Sequence, residues 1–261
     1  MRAFAALLLL TACGSSNLPS DAGSDAPLDS SIGLDASPDA FRPRTHETLP
    51  LPDALVAGVA EVRIPAPVGV GTMGFGAVGV EPSETPFSDT FPGTTRSHGT
   101  LTFRAVALSR GPAHEVVLVR MDTVGVFQQL REAVLDELET RLGRRLDDAL
   151  ILAGNHTHSG PGRILMTTGA LTLLGDTFFP ELYDRIVDAL ADVIELAIQD
   201  QRPAELGHAI ATTSEGHSDR RCENDPLPQV QEVPDLPLVA VRREGRLDAV
   251  IASYAYHGTV L

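Results

Sequence analysis

Apolar positions in the first half of the folded region follow strand spacing and then helix spacing. Apolar and β-branched runs predict strands over Val59–Ile64, Leu101–Ser109 and Glu115–Met121. The second and third of these are predicted to pair as a hairpin, because a Gly-Pro turn separates them. Apolar residues then recur every three or four positions, which predicts a helix over Val126–Arg144.

The second half repeats this alternation. A short apolar run, Ala149–Ala153, predicts a buried strand, and an amphipathic segment with proline in its first turn predicts a helix over Pro180–Asp200. Strands are predicted over Glu205–Thr213 and, as a second hairpin, over Leu238–Arg242 and Leu247–Tyr256. The predicted fold class is therefore α/β, mixed α+β, with a central β-sheet covered by helices.

The N-terminus predicts a targeting segment. Met1 and Arg2 precede the apolar stretch Ala3–Leu10, which is too short to span a bilayer. Leu10-Thr11-Ala12-Cys13 resembles a bacterial lipobox, so residues 1–13 are predicted to be a lipoprotein signal with Cys13 as the lipidated residue. An ordinary secretory signal is the alternative. The protein is expected at the bacterial cell envelope, lipid-anchored and attached to the outer membrane, or secreted.

Composition separates a tether from a folded region. Residues 14–56 are dominated by Ser, Asp, Ala, Gly and Pro and are predicted to be a disordered acidic tether, leaving residues 57–261 as the folded domain. The net charge of −15 argues against nucleic acid as a partner. With Cys13 predicted to be modified and only two cysteines in the 261 residues, no disulfide framework is expected.

Candidate chemistry concentrates where the run Ala149–Ala153 ends. His156 and His158 stand two residues apart, and a strand would direct both to one face. His98 and His257 also lie where strands meet loops, so a metal site, a general-base pair and structural histidines all remain open. The glycine-rich stretch over residues 69–76 lacks the Walker lysine and the dinucleotide spacing, which favours close backbone approach to a ligand over phosphate binding.

A family resemblance adds to these observations. His156-Thr157-His158-Ser159-Gly160-Pro161-Gly162 resembles the HTHSGPGG signature of neutral ceramidases. The resemblance extends in order over about residues 56–261, through segments at Met73-Gly74-Phe75, His98 with Arg104-Ala105, Arg120-Met121-Asp122, and Tyr256-His257-Gly258-Thr259.

The resemblance implies roles for individual residues. His156 and His257 would be ligands of a catalytic Zn²⁺, and His158 would contact the substrate as a catalytic residue. Gly74 would border the substrate, and Arg221 would be a catalytic, substrate-binding arginine, with Arg220 in its place if the register slips. His98 resembles a family histidine to which no role is assigned.

The resemblance also shows departures. Arg163 stands where the signature has a second glycine, and Cys222 and Gly258 replace serines. The family's glutamate and tyrosine ligands, its active-site serine and its C-terminal domain would lie beyond Leu261, so the chain is expected to be an incomplete catalytic domain. The implied activity is zinc-dependent cleavage of ceramide (N-acylsphingosine). The alternatives are hydrolysis of another acyl amide or ester, or a non-catalytic lipoprotein that binds lipid or metal.

Overall fold

A five-stranded sheet is the main layer of the structure. The computed structural model describes residues 54–74, 87, 91–111, 114–166, 172–212 and 235–254. The elements in chain order are β1 (Val56–Pro65), β2 (Thr100–Ser109), β3 (Glu115–Met121), α1 (Gln128–Leu142), β4 (Leu150–Gly154), α2 (Thr172–Gly175), α3 (Pro180–Gln199), β5 (Arg202–Pro203), β6 (Glu205–Thr212), β7 (Asp235–Arg243) and β8 (Arg246–Ala252).

The strands of the main sheet lie in the order β4-β3-β2-β1-β5. All its pairs are antiparallel except β3 and β4, which run parallel. A parallel pair requires a crossover, and α1 provides it. The loops that follow β3 and β4 consequently meet at the same edge of the sheet.

Two helices cover one face of the main sheet, as predicted. Alternate residues of β2 and β3 face them and are almost fully buried, namely Leu101, Phe103, Ala105, Ala107, Val117, Val119 and Met121. All seven apolar positions that predict the inner face of α3 are buried: Tyr183, Ile186, Val187, Leu190, Val193, Ile194 and Ala197. The mixed α/β architecture with a helix-covered sheet is confirmed.

The helix α1 is shorter than the periodicity predicts. Phe127 has an extended backbone (φ −103°, ψ 150°), so the helix begins at Gln128 rather than at Val126. Val126 and Phe127 still pack against the core from this extended segment, which explains why their spacing continues the helical pattern. The helix ends at Leu142, and Gly143 caps it in a left-handed conformation (φ 68°).

A smaller sheet, β6-β7-β8, follows α3. Glu244 and Gly245 connect β7 to β8 with positive φ at both positions (51° and 75°), as a two-residue hairpin requires. The last strand ends at Ala252, before the predicted end at Tyr256, and Tyr256 lies outside the described residues. Val241 of β7 packs with Ala57 and Val106 in a second apolar cluster, which joins the smaller sheet to the main one.

An ion cluster reinforces this junction. The Arg243 side chain is 9% exposed and donates to the Ala57 carbonyl (3.2 Å), the Asp200 carboxylate (2.5 Å) and the Asp248 carboxylate (2.6 Å). Burial acts to raise the pKa of Asp200, but the Val59 amide and the Arg243 guanidinium donate to this carboxylate and lower its pKa to about 2. The cluster thus ties β7 to β1 and to the end of α3.

The Asp200 carboxylate is expected to stabilise the fold in a pH-dependent way. Because its folded-state pKa of about 2 lies below the ordinary value of 3.8, its contribution is present at neutral pH and is lost as the pH falls through this interval. The difference in unfolding free energy between wild type and Asp200→Asn should shrink by about 1–2 kcal/mol between about pH 5 and about pH 2, after allowance for solvent screening. Denaturant titrations at both pH values measure it.

Asp148→Asn, which changes an exposed carboxylate, is the control for this experiment. Its difference from wild type should stay constant over the same pH range. An Asp200→Asn difference that is equally constant would contradict the stabilising role of the cluster.

Candidate functional site

The loop after β4 brings the two histidines of the HTH motif together. The ring centroids of His156 and His158 lie 5.1 Å apart, and the rings meet edge to face at 86°. The expectation that strand alternation aligns them is wrong, because β4 ends at Gly154 and His156 has a left-handed backbone (φ 60°). The turns of the loop, rather than a strand, place both imidazoles in one site.

Each imidazole contacts a backbone carbonyl through Nδ1. His156 Nδ1 lies 2.7 Å from the Val124 oxygen, and His158 Nδ1 lies 3.0 Å from the Met73 oxygen. A carbonyl oxygen only accepts, so in the neutral ring the proton is on Nδ1 and the lone pair is on Nε2. A histidine that binds a metal through one nitrogen usually donates the other N–H to a carboxylate, a water or a backbone carbonyl, as found here.

Gly74 lies directly against the His158 ring. It has a positive φ of 92°, and a Cβ at this position would lie 2.3 Å from His158 Nδ1. Its amide donates to the Leu174 carbonyl at 2.7 Å, and the preceding Met73 amide donates to Gly160 at 3.2 Å. The glycine-rich stretch therefore borders the histidines, and this position has no room for a side chain.

The glycines after the histidines are required by close backbone contact. A Cβ on Gly160 would lie 2.6 Å from the Asp122 carbonyl oxygen, and a Cβ on Gly162 would lie 2.7 Å from that of Gly175. The Gly162 amide donates to the Gly71 carbonyl at 2.7 Å. The segment Gly160-Pro161-Gly162 thus packs the histidine loop on the end of β3 and on the glycine-rich stretch.

Arg163, which departs from the signature, also has a left-handed backbone (φ 60°). Glycine adopts this conformation without the steric cost that a Cβ carries. The arginine side chain offsets that cost with three contacts: its Nε donates to Thr177 at 2.7 Å, a terminal nitrogen donates to Phe87, and the guanidinium lies 5.1 Å from the Phe179 ring centroid. These contacts hold the arginine in a backbone conformation that glycine adopts more readily.

The remaining predicted residues are placed as follows. His98 is exposed and lies two residues before β2. His257, Arg221 and Cys13 lie outside the described residues. Within the part of the chain that the structure describes, no three His, Cys, Asp or Glu side chains are arranged to hold a metal ion. Nor does any helix among those residues combine the length and the apolar character needed to cross a membrane.

Asp122 is a site residue to which the sequence assigns no role. Its carboxylate accepts from the Thr102 amide (2.9 Å) and the Asn155 side chain (2.9 Å), and it pairs with Arg120 (2.8 Å). The carboxylate therefore connects the ends of β2 and β3 to the residue before His156. Asp122 directly follows β3, and the loop after the parallel strand β4 lies beside it. A polar residue directly after a predicted strand is the sequence signal that could have identified it.

Comparisons with known proteins show what this chain is similar to. Residues 98–224 match the model of the family described as neutral/alkaline non-lysosomal ceramidase, N-terminal. Neutral ceramidase A of Dictyostelium discoideum is 30% identical over 106 residues, which are 40% of this chain and 15% of that protein. Over residues 98–224 the chain is therefore similar to the N-terminal part of the neutral/alkaline non-lysosomal ceramidase family.

Two solved structures share the fold. A ceramidase complexed with C2 superposes with a TM-score of 0.65 at 20% identity, over 78% of this chain and 31% of that one. The neutral ceramidase from Pseudomonas aeruginosa superposes with a TM-score of 0.65 at 22% identity, over 78% and 32% of the respective chains. The chain thus spans less than a third of these structures and 15% of the curated relative.

Gly74→Ala should disturb the site because the new Cβ would overlap the His158 ring. We expect the unfolding free energy to fall by about 1–3 kcal/mol, from overpacking and from the positive φ together. The matched control is Gly99→Ala, where a Cβ meets nothing within 4 Å. Chemical denaturation measures both variants, and equal losses would contradict the close packing of Gly74 on His158.

Arg163 offers a test of the left-handed backbone. Arg163→Gly and Arg163→Ala lose the same side-chain contacts, but only alanine retains the steric cost of a Cβ at φ 60°. We therefore expect the glycine variant to be more stable than the alanine variant by about 1 kcal/mol.

The same pair of substitutions at Arg185, an exposed position within α3, is the control for Arg163. There the order should reverse, with alanine more stable by about 1 kcal/mol because glycine is a poor helix former. The same order at both positions would contradict the conformation described for Arg163.

Proposed function

We propose that this chain supplies the N-terminal part of a zinc-dependent amide hydrolase that cleaves ceramide to sphingosine and a fatty acid. One observation carries the proposal. Two imidazoles of the family signature share one site, and each has its Nδ1 directed to a backbone carbonyl, so that the lone pair of the neutral ring is on Nε2. The match of residues 98–224 to the ceramidase family model supports the reaction class.

The described residues fit a metal site in part. His156 would bind zinc through Nε2, and His257 would be its second ligand by the family resemblance. Three protein ligands are usual for catalytic zinc, so further donors would come from outside the described residues. The chemistry that bound zinc supplies is Lewis-acid polarisation of the amide carbonyl and activation of water at neutral pH.

The neighbouring residues would orient the substrate. His158 lies beside His156 at 5.1 Å between ring centroids, close enough for its Nε2 to contact the amide or an adjacent hydroxyl of a substrate held there. Gly74 keeps the wall behind the His158 ring free of a side chain. Arg221 would bind the polar end of the lipid. The reaction adds one water across the amide C–N bond and gives a carboxylic acid and an amine.

The predicted envelope location is consistent with this substrate. Lipidation at Cys13 would attach the protein to a membrane, and the acidic segment between Cys13 and β1 would link the anchor to the hydrolase. A tethered enzyme meets a lipid substrate at the surface where that lipid resides.

Removal of metal tests the proposal on the complete gene product. A chelator should abolish hydrolysis of fluorescent ceramide, and added zinc should restore it. His156→Ala should lose zinc together with activity, whereas His158→Ala should retain zinc and lose about 10²-fold or more in kcat/KM, as for a residue that acts on the reacting group.

His114→Ala, at an exposed position after the hairpin turn, is the control and should behave as wild type. Ceramide turnover that is unaffected by complete metal removal would overturn the zinc mechanism. Metal-dependent hydrolysis of other acyl amides without hydrolysis of ceramide would overturn the substrate assignment.

A further inference from the structure

The side chains of the residues that precede the two histidines close two consecutive turns. Asn155 Oδ1 accepts the Thr157 amide at 3.2 Å, so an Asx turn encloses His156. Thr157 Oγ1 accepts the Ser159 amide at 3.2 Å, so a hydroxyl-closed turn of the same kind encloses His158. Each imidazole therefore stands at the centre of its own turn, and a different side chain closes each one.

We infer that Asn155 and Thr157 are positioning residues, the first for His156 and the second for His158. The Asx turn holds His156 in a left-handed conformation (φ 60°) that costs free energy for any residue with a Cβ. In that conformation the His156 amide donates to the Thr123 carbonyl at 3.0 Å, and the ring reaches the Val124 carbonyl. The orientation of the imidazole is thus linked to the closure of the turn.

The first turn is anchored from outside the loop. The Asn155 side-chain nitrogen donates to Asp122 at 2.9 Å, and the Asn155 backbone amide donates to the Met121 carbonyl at 3.1 Å. Asp122 is itself fixed by the Thr102 amide and by Arg120. Asn155 is therefore clamped by β2 and β3, and its amide group faces in one direction, with the nitrogen towards Asp122 and the oxygen towards Thr157.

The second turn is anchored through the imidazole. His158 Nδ1 lies 3.0 Å from the Met73 carbonyl, and Gly74 lies against the ring. Thr157 takes part in both turns: its backbone amide donates to Asn155 in the first turn, and its hydroxyl accepts from Ser159 in the second. Loss of the hydroxyl should release His158 and leave the Asx turn around His156 closed.

This inference rests on the proposed function for the roles of the two imidazoles, namely zinc binding by His156 and substrate contact by His158. The orientation of the rings does not depend on those roles and can be measured without metal or substrate. The probe is long-range ¹H–¹⁵N NMR of the uniformly ¹⁵N-labelled, metal-free chain at alkaline pH, where an ordinary imidazole is neutral. The ring nitrogen shifts report which nitrogen carries the proton. Wild type should show both rings with the proton on Nδ1.

Two pairs of variants separate the two turns. Asn155→Ala should remove the Nδ1–H preference of His156 and leave that of His158, whereas Asn155→Ser keeps an acceptor for the Thr157 amide and should restore it. Thr157→Val is nearly isosteric but has no acceptor, so it should affect His158 alone, and Thr157→Ser should restore the wild-type spectrum.

The reciprocal pattern distinguishes positioning from general destabilisation. A variant that merely unfolds the loop would change both rings together, and that result would overturn the inference, as would spectra in which neither ring responds. If the tautomers respond as expected but ceramide is not hydrolysed, the positioning roles stand and the proposed function fails. If ceramide hydrolysis is metal-dependent but the variants do not change the two rings selectively, the proposed function stands and the positioning roles fail.

Discussion

The structure of the site depends on backbone-to-backbone contact between the loop after β4 and two neighbouring segments. Gly160 and Gly162 approach the Asp122 and Gly175 carbonyls so closely that neither could carry a Cβ. The same contact brings Met73 behind the His158 ring and Val124 behind the His156 ring. Because the imidazoles are oriented by carbonyl oxygens, their geometry is set by the path of the main chain.

The sheet makes this contact possible. The parallel pair β3 and β4, with α1 as crossover, places the ends of both strands at one edge, so that Asp122 and Asn155 meet there. The helix-covered face is apolar and almost fully buried, and this packing holds in place the strands from which the loops extend. The polar groups of the site are therefore carried on a rigid base, as the small tolerances of a metal or substrate site require.

The spacing of apolar residues predicts most of the sheet and of the helices that cover it. It does not predict the geometry of the site. The strand β3 and the inner face of α3 follow from local spacing because burial imposes it. Strand alternation predicts the proximity of the two histidines for the wrong reason, since a turn closed by a side chain is not visible in hydrophobic periodicity. Likewise, the Arg243 cluster joins residues that are 43 and 186 positions apart, and such contacts depend on topology rather than on local pattern.

One departure from the family signature, Arg163, is understandable in the same physical terms. Arg163 takes a backbone conformation suited to glycine and offsets the steric cost by contacts of its side chain.

The central claim is that His156 is presented, through its Nε2, to a catalytic zinc. Anomalous diffraction at the zinc edge from the zinc-loaded complete protein tests it most directly. We predict a zinc peak about 2.0–2.1 Å from His156 Nε2; a peak on Nδ1, a peak on His158 instead, or no zinc in the loop would contradict the account.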